Sequence, residues 1–249
     1  AVLITQIPFC ADGVRLMPNE LLRSGLISCK NRNEPREYCH DKVVLSVGDG
    51  TVTYQGQELR YFEETVWMQL VHLASAQPVG TIVKFGTREF LRAIEAPLTG
   101  AYYKRLGDTL NRLTATKLSV TSNRLRSTVS FSMLPYSYRV ESFDEDGEEI
   151  TTKTEWQVEL APELVKLFSG EGYSRIQWHQ RLALKNPVAI WLMGFLASHQ
   201  TPHPLSISSI KEICRLKGDE PSVRRTVKRA AEALIEVGFL SEAEITKDK

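Results

Sequence analysis

Arg224, Arg225, Lys228 and Arg229 stand within six positions of the stretch PSVRRTVKRAAEALIEVGFL, Pro221–Leu240. On a helix advancing about 100° per residue, Val223, Val227, Ala230, Leu234 and Val237 form one narrow apolar stripe, and the four cations fall opposite it. They crowd the N-terminal half, the positive end of the helix dipole, where each cation costs about 0.3 to 1 kcal/mol. A helix serving structure alone would carry acids there. Phosphate is the simplest external counter-charge, and the N-terminal part of a recognition helix is what enters a DNA major groove.

A second segment, TGAYYKRLGDTLNRLTAT, repeats the arrangement. Tyr103, Leu106, Leu110 and Leu113 form its stripe, and Lys104, Arg105 and Arg112 oppose it. Asp108 shares the basic face, either accepting from a cytosine amino group or holding an arginine in place. Tyr102 is the tyrosine available to contact a DNA backbone, since the stripe assigns Tyr103 to the core. Further on, Arg124 and Arg126 in TSNRLRS suit phosphate or the minor groove. A basic face on one amphipathic helix is ordinarily just solvated, but two at matching architectural positions favour a ligand. Lys211, Arg215 and Lys217 fit phosphate contact and plain solvation equally well.

Enzyme chemistry finds little footing. Cys39 and His40 with Cys29 lack the paired spacing of a zinc site, and Asp144, Glu145 and Asp146 lack the alternating ligands of a calcium loop. His72, His179, His199 and His203 have no Ser or Cys elbow nearby, and GDG and SGEG read as turns. No catalytic residue, metal ligand or cofactor is assigned, and the expectation is a non-enzyme.

These residues must be held by elements, and the elements recur in order. Val43, Leu45 and Val47 alternate before a Gly48-Asp49-Gly50 turn, and Val52 and Tyr54 alternate after it, which predicts a hairpin. FEETVWMQLVHLASA has helical spacing, TIVKF is a short strand, and TREFLRAIEA is a helix that Pro97 ends. Thr99 can cap the next helix. Leu118 and Val120, then Val129, Phe131 and Met133, alternate on two strands whose tip carries Arg124 and Arg126. This is winged-helix order.

The second half follows suit. KNPVAIWLMGFLASHQ is apolar nearly all round and ends at Pro202 and Pro204, PLSI is extended, and ISSIKEICRLK is a second helix. The Pro221 helix is the third, Gly238 lies beyond its end, and FLSEAEI begins a wing. ESFDEDGEE tips a hairpin at Asp146-Gly147, and the strand with Trp156, Val158 and Leu160 and the helix PELVKLF join the halves. The predicted fold class is α+β with two tandem winged helices. The boundaries are an N-terminal arm and short helix over 1–40, a first winged helix over 41–160 and a second over 161–249.

The 249 residues allow two cores, and 42% hydrophobic with 24% charged content fits a globular, soluble chain. No run approaches the ~20 apolar residues of a membrane span, and AVLITQIPFC lacks the charged n-region of a leader. Four irregularly spaced cysteines point to a reducing cytoplasm. The net charge of +1 conceals segregation. Lys84 to Arg139 holds ten bases and three acids, Glu141 to Glu171 two bases and ten acids, and Arg175 to Arg229 again ten bases and three acids. Local potential, screened over about 8 Å, is what a polyanion meets.

The blocks LMPNELLRSGL, VVLSVGDGTVTYQGQELR, VWMQLV, AYYKRLGDTLNRLTATKLSVTSNR, LFSGEGYSRIQW, FLASHQTPHPLSI and EALIEVGFL resemble, in order and spacing, the TrfA-type plasmid replication initiators. The resemblance covers most of the chain. It implies two tandem winged helices that bind double-stranded direct repeats (iterons) in a plasmid origin. It further implies opening of an adjacent AT-rich segment, whose single strand is a further candidate ligand, and recruitment of the host replicative helicase and sliding clamp. TQIPF matches the family's clamp-docking peptide only faintly. A homodimer is a further candidate partner. Two unlike winged helices in one chain suit direct repeats, since a symmetric dimer would demand a palindrome. The rival readings are a winged-helix transcriptional regulator without an origin role, a DNA-cutting enzyme, and a protein-contact adaptor.

Overall fold

Helical and strand periodicity sets most elements locally, and pairing between distant strands decides how they assemble. The computed structural model describes residues 6–30, 33–75, 77–78, 80–141, 143, 145–146, 154–201 and 204–246. The chain is mixed α/β. Its first part runs β1 (Val14–Pro18), α1 (Asn19–Leu22), β2 (Ile27–Ser28), β3 (Tyr38–Val44), β4 (Thr51–Gln57), β5 (Leu59–Arg60) and α2 (Tyr61–Ala74). There follow β6 (Val83–Gly86), α3 (Thr87–Ala93), α4 (Gly100–Thr114), β7 (Lys117–Ser122), β8 (Ser127–Ser132), β9 (Tyr136–Val140) and β10 (Glu155–Glu159). A 3-10 helix over Pro162–Phe168 leads to β11 (Tyr173–Gln177), α5 (Trp178–Ala183), α6 (Pro187–Ala197), α7 (Ile207–Ile213) and α8 (Glu220–Glu236).

Two helices anchor the interior because each is buried on nearly every side. On α2, Val66, Trp67, Leu70 and Val71 are fully buried, and Glu63 reaches back to accept from the Arg60 amide at 2.9 Å, satisfying one orphan donor of the helix start. On α6, Val188 to Phe195 are all buried, and Asn186 caps the start by accepting from Val188 N at 2.9 Å.

Strand pairing departs from the expected hairpin order. β6 pairs antiparallel with β10, and β10 with β9, while β7 and β8 extend a separate sheet of order β3-β4-β7-β8. The strands carrying Arg124 and Arg126 at their turn are therefore not the ones laid beside β6. The β9–β10 hairpin takes that place, and its expected Asp146-Gly147 tip lies largely outside the described residues. In the second half no strand forms over 237–246, where a wing was expected, and PLSI stays unpaired among the described residues. Pro202 lies outside them. Thr99 occupies the cap position of α4 without a side-chain bond.

Register also differs at β3. A shift between Cys39 and Lys42 places Val44 opposite Val52, so Val44 is buried while Val43 and Leu45 are 63% and 56% exposed. A one-residue slip exchanges the two faces of a strand.

The halves are stitched at several points. β1 pairs antiparallel with β11, Val14 opposite Gln177 and Pro18 opposite Tyr173. Trp178 Nε1 donates to Ala93 O at 2.9 Å, Trp191 Nε1 to Ser24 O at 3.0 Å, and buried Arg181 pairs with Glu64.

Candidate nucleic-acid interface

The leucines of α4 settle which way its polar side chains point. Leu106, Leu110 and Leu113 are fully buried, so the opposite face carries Lys104, Asp108 and Asn111, all exposed. Lys104 makes no ion pair among the described residues. Together with Gly100, Tyr103, Gly107, Ser137, Tyr138, Arg139 and Trp156, this face lines a groove of about 590 Å³ between α4 and the β9–β10 hairpin. Tyr138 is 54% exposed, and Arg139 lies 3.3 Å from Glu141.

The other α4 cations turn to the flank. Arg105 stacks 3.8 Å over the Phe62 ring and 5.5 Å from that of Tyr102, and Tyr102 itself packs edge-on against Phe62. Arg112 donates from Nη1 to Glu63 Oε1 at 2.8 Å and from Nε to Gln57 Oε1 at 2.7 Å. Burial pushes its guanidinium down from the ordinary arginine range, with Glu63 opposing the shift. Arg36 closes on the same carboxylate at 3.0 Å. The spacing of Arg105 and Arg112 suggested ligand-facing cations, and in the structure each has a partner within the chain, Phe62 and Glu63 respectively.

On α8 the core stripe is Val223, Val227, Ala230 and Leu234. Arg225, Lys228 and Arg229 are exposed on the opposite side. Neither Arg225 nor Arg229 has an ion pair among the described residues, and Lys228 has only a long 4.0 Å contact with Glu232. Arg224 differs. It is half-buried, reaches Glu220 at 3.5 Å and donates to Thr246 O at 2.7 Å. The start of α8 is capped by Asp219, which accepts from Ser222 N at 3.1 Å, so one acid and one cap temper the dipole that three exposed cations oppose.

The β7–β8 turn divides its two arginines. Arg126 is exposed, without a partner among the described residues, and its φ of 50° puts a side chain in the left-handed region. Arg124 is exposed too, but its guanidinium is engaged by Glu20, with Nη2 at 2.8 Å from Oε1. Of the two arginines expected to meet phosphate, Arg124 thus already holds a carboxylate of the chain.

The exposed set is thus Lys104, Asp108, Asn111, Tyr138 and Arg139 on one half, Arg225, Lys228 and Arg229 on the other, and Arg124 and Arg126 on the hairpin turn. Asn111, seven residues after Lys104, lay within reach of the helical spacing. Tyr138 and Arg139 required the β9–β10 pairing.

A nucleophile-like arrangement exists elsewhere: Cys10 Sγ lies 3.2 Å from His72 Nδ1, and His72 Nε2 3.5 Å from Asp12. Cys10 is buried, and desolvation raises its pKa, which favours the unreactive thiol. Among the described residues no three His, Cys, Asp or Glu side chains converge as metal ligands, and no helix is long and apolar enough to cross a membrane.

Known proteins share this architecture. The structure is similar to that of the Pi initiator protein in complex with iteron DNA, with a TM-score of 0.53 and 10% identity, covering 90% of this chain and 86% of that one. It is similar to RctB domains 2–3, with a TM-score of 0.55 and 10% identity, over 87% of this chain and 83% of that one. In sequence, the plasmid replication initiator protein TrfA of Escherichia coli is 31% identical over 242 residues, covering 95% of this chain. The chain spans 61% of that relative's length. The TrfA protein family profile matches residues 2–249, and with that extent and identity the chain belongs to the TrfA family.

Proposed function

We propose that this chain is a plasmid replication initiator that binds double-stranded direct repeats in a plasmid origin through the outer faces of α4 and α8. The observation that carries the reading is the exposed cationic face of α8, together with Lys104 on the exposed face of α4, in a chain of the TrfA family. Arg225 and Arg229 have no ion pair among the described residues and Lys228 has only the 4.0 Å contact with Glu232, and phosphate oxygens supply the further counter-charge. On α4, Asn111 and Asp108 read base edges, because an amide can pair with adenine and a carboxylate can accept from cytosine. Lys104 and the β9 residues Tyr138 and Arg139 follow the strand backbone along the groove.

In this reading α2, β6, α3, α4 and the β9–β10 hairpin make one winged helix, and α6, α7 and α8 make a second helix-turn-helix unit within 161–249. Helices α4 and α8 then enter successive major grooves, about 34 to 36 Å apart, on an asymmetric site. Opening of an AT-rich segment, contact with its single strand, recruitment of a host helicase and sliding clamp, self-association, and a cytoplasmic setting belong to the same proposal and rest on family membership.

Footprinting on a supercoiled plasmid origin tests it. Protection of an array of direct repeats is the expected result. Protection confined to one promoter-like palindrome favours a regulator, and magnesium-dependent nicking favours an enzyme.

A further inference from the structure

Arg124 uses its whole guanidinium. Nε and Nη2 both reach Glu20 Oε1, at 3.1 and 2.8 Å, Nη1 donates to Ser169 O at 2.9 Å and to Ser169 Oγ at 3.2 Å, and Nη2 donates to Leu167 O at 3.2 Å. Glu20, only 8% exposed, also accepts from Ser122 Oγ at 3.0 Å. A β-carbon on Gly172 would sit 2.3 Å from the guanidinium carbon, so the glycine leaves the space this side chain fills.

The two sides of this contact lie on elements far apart in the chain. Arg124 sits in the turn of the β7–β8 hairpin, and only two residues separate β7 from the end of α4, so the hairpin is joined directly to the first helix of the interface. Glu20 sits on α1, which continues β1, and β1 is paired along its length with β11. Asn19 N donates to Gly172 O at 2.8 Å, and Ser174 Oγ to Asn19 Oδ1 at 2.7 Å. From β11 the chain runs on into α5 through α8. Elsewhere the halves touch through the pairing of Arg181 with Glu64 and through Trp178 with Ala93. The Ile27–Leu59 strand pairing, Gly25 N donating to Leu45 O at 2.7 Å and Trp191 Nε1 donating to Ser24 O at 3.0 Å add further attachments, and Arg124 adds a charged, multidentate one at the hairpin turn itself.

We propose that Arg124 is a positioning residue that, by clamping the α4-linked hairpin to α1 and the Leu167–Gly172 segment, fixes the separation of α4 and α8 and hence the base-pair spacing between the two segments of DNA that the chain accepts. The inference rests on the reading that both helices contact one duplex. A rigid linkage converts the second contact into an intramolecular event at high effective concentration, but only at the spacing the linkage matches. A loosened linkage accepts several spacings, each more weakly.

The test selects duplexes from a random-sequence library with the parent chain, Arg124→Ala and Gly172→Ala, the last evicting the guanidinium while keeping the arginine. The parent is expected to select two short motifs at one spacing. Both variants are expected to select the same motifs at two or more spacings, with roughly tenfold weaker binding at the parent's spacing. Arg124→Lys, which can meet Glu20 but not also both carbonyls, is expected to fall between. In parallel, spin labels at Ala101→Cys and Glu236→Cys, both exposed positions, report the α4 to α8 distance without DNA: narrow in the parent, broadened by either variant. A single unchanged spacing with uniformly weakened, less salt-dependent binding would make Arg124 a phosphate contact and overturn the proposal, as would an unchanged distance distribution. If the parent selects no paired motif, the two-helix reading fails, and the distance distributions alone decide the clamp.

Discussion

Arg112 Nη1 lies 2.8 Å from Glu63 Oε1, and this contact, across 49 residues of sequence, gives a basic residue of α4 an acid partner within the chain. Glu63 is 1% exposed. Arg36 shares the carboxylate, so Arg112→Ala leaves it partly paired, and the expected loss of stability is about 2 kcal/mol. Urea unfolding measures this. Affinity for origin DNA per folded molecule is expected to stay at the parent level, and the opposite result, weakened binding with unchanged unfolding, would return Arg112 to the interface.

On the exposed face of α4, Lys104 and Asn111 are expected to separate by role. Asn111→Ala should lose about 1 to 3 kcal/mol of discrimination between bases at one position. Lys104→Ala should weaken binding to all sequences alike and reduce the slope of log affinity against log salt by about one. Titrations of matched and mismatched duplexes at several salt concentrations distinguish these patterns. Identical behaviour of the two variants would reject the division.

For α8, Arg225→Ala or Arg229→Ala is expected to cost about 1 to 3 kcal/mol of binding where the side chain reads a guanine. Neither side chain has an ion pair among the described residues to lose, so stability should change by no more than about 0.5 kcal/mol. Arg224→Ala is expected to do the reverse, because its guanidinium holds Thr246 O and Glu220. The comparison pairs duplex titration with thermal unfolding on the same preparations. Arg224→Ala binding as weakly as Arg225→Ala, with intact stability, would contradict the inward orientation.

The contrast marks what the sequence could carry. Helices α4 and α8 were legible because a period near 3.6 is a local property, and the leucine and valine stripes dictate which residues lie opposite. Whether an opposite cation is free was not legible, since the acids that capture Arg112 and Arg124 are Glu63 and Glu20, distant in sequence and brought near only by tertiary packing. The same limit hid the partners of β6. Val83 to Gly86 wait for Glu155 to Val158, about seventy residues on, and the nearer β7–β8 hairpin looked equally suitable. At β3 the hairpin with β4 was legible, but not its buried face. The alternation of Val43, Leu45 and Val47 is real, but the irregularity between Cys39 and Lys42 resets which face is buried.

Arg126 carries its own test in its backbone. With φ at 50° it holds a conformation that glycine adopts without strain. Arg126→Gly should therefore leave stability unchanged or raise it slightly, by less than about 1 kcal/mol. If the exposed guanidinium meets phosphate, the same substitution should lower affinity for every duplex and reduce the salt slope by about one. Unchanged affinity at all salt concentrations would remove Arg126 from the interface.

His72 gives the fold a pH dependence that can be worked out in sign. It is largely buried against Cys10 and Asp12, and burial depresses its pKa from the ordinary 6.5, with the charge of Arg15 acting in the same direction and Asp12 opposing. The folded chain therefore binds this proton less readily than the unfolded chain does. Above about pH 6.5 neither state is protonated, and the group's contribution to stability is fully present. As pH falls below 6.5 toward the depressed folded value, the unfolded state gains the proton first and stability declines. His72→Gln removes that linkage, so the fall in unfolding free energy between about pH 6.5 and 5 should be shallower in the variant than in the parent. Denaturant unfolding at half-unit pH intervals measures both curves. Parallel curves through that window would mean that His72 titrates alike folded and unfolded, and that its pairing with Cys10 is not kept in the neutral form.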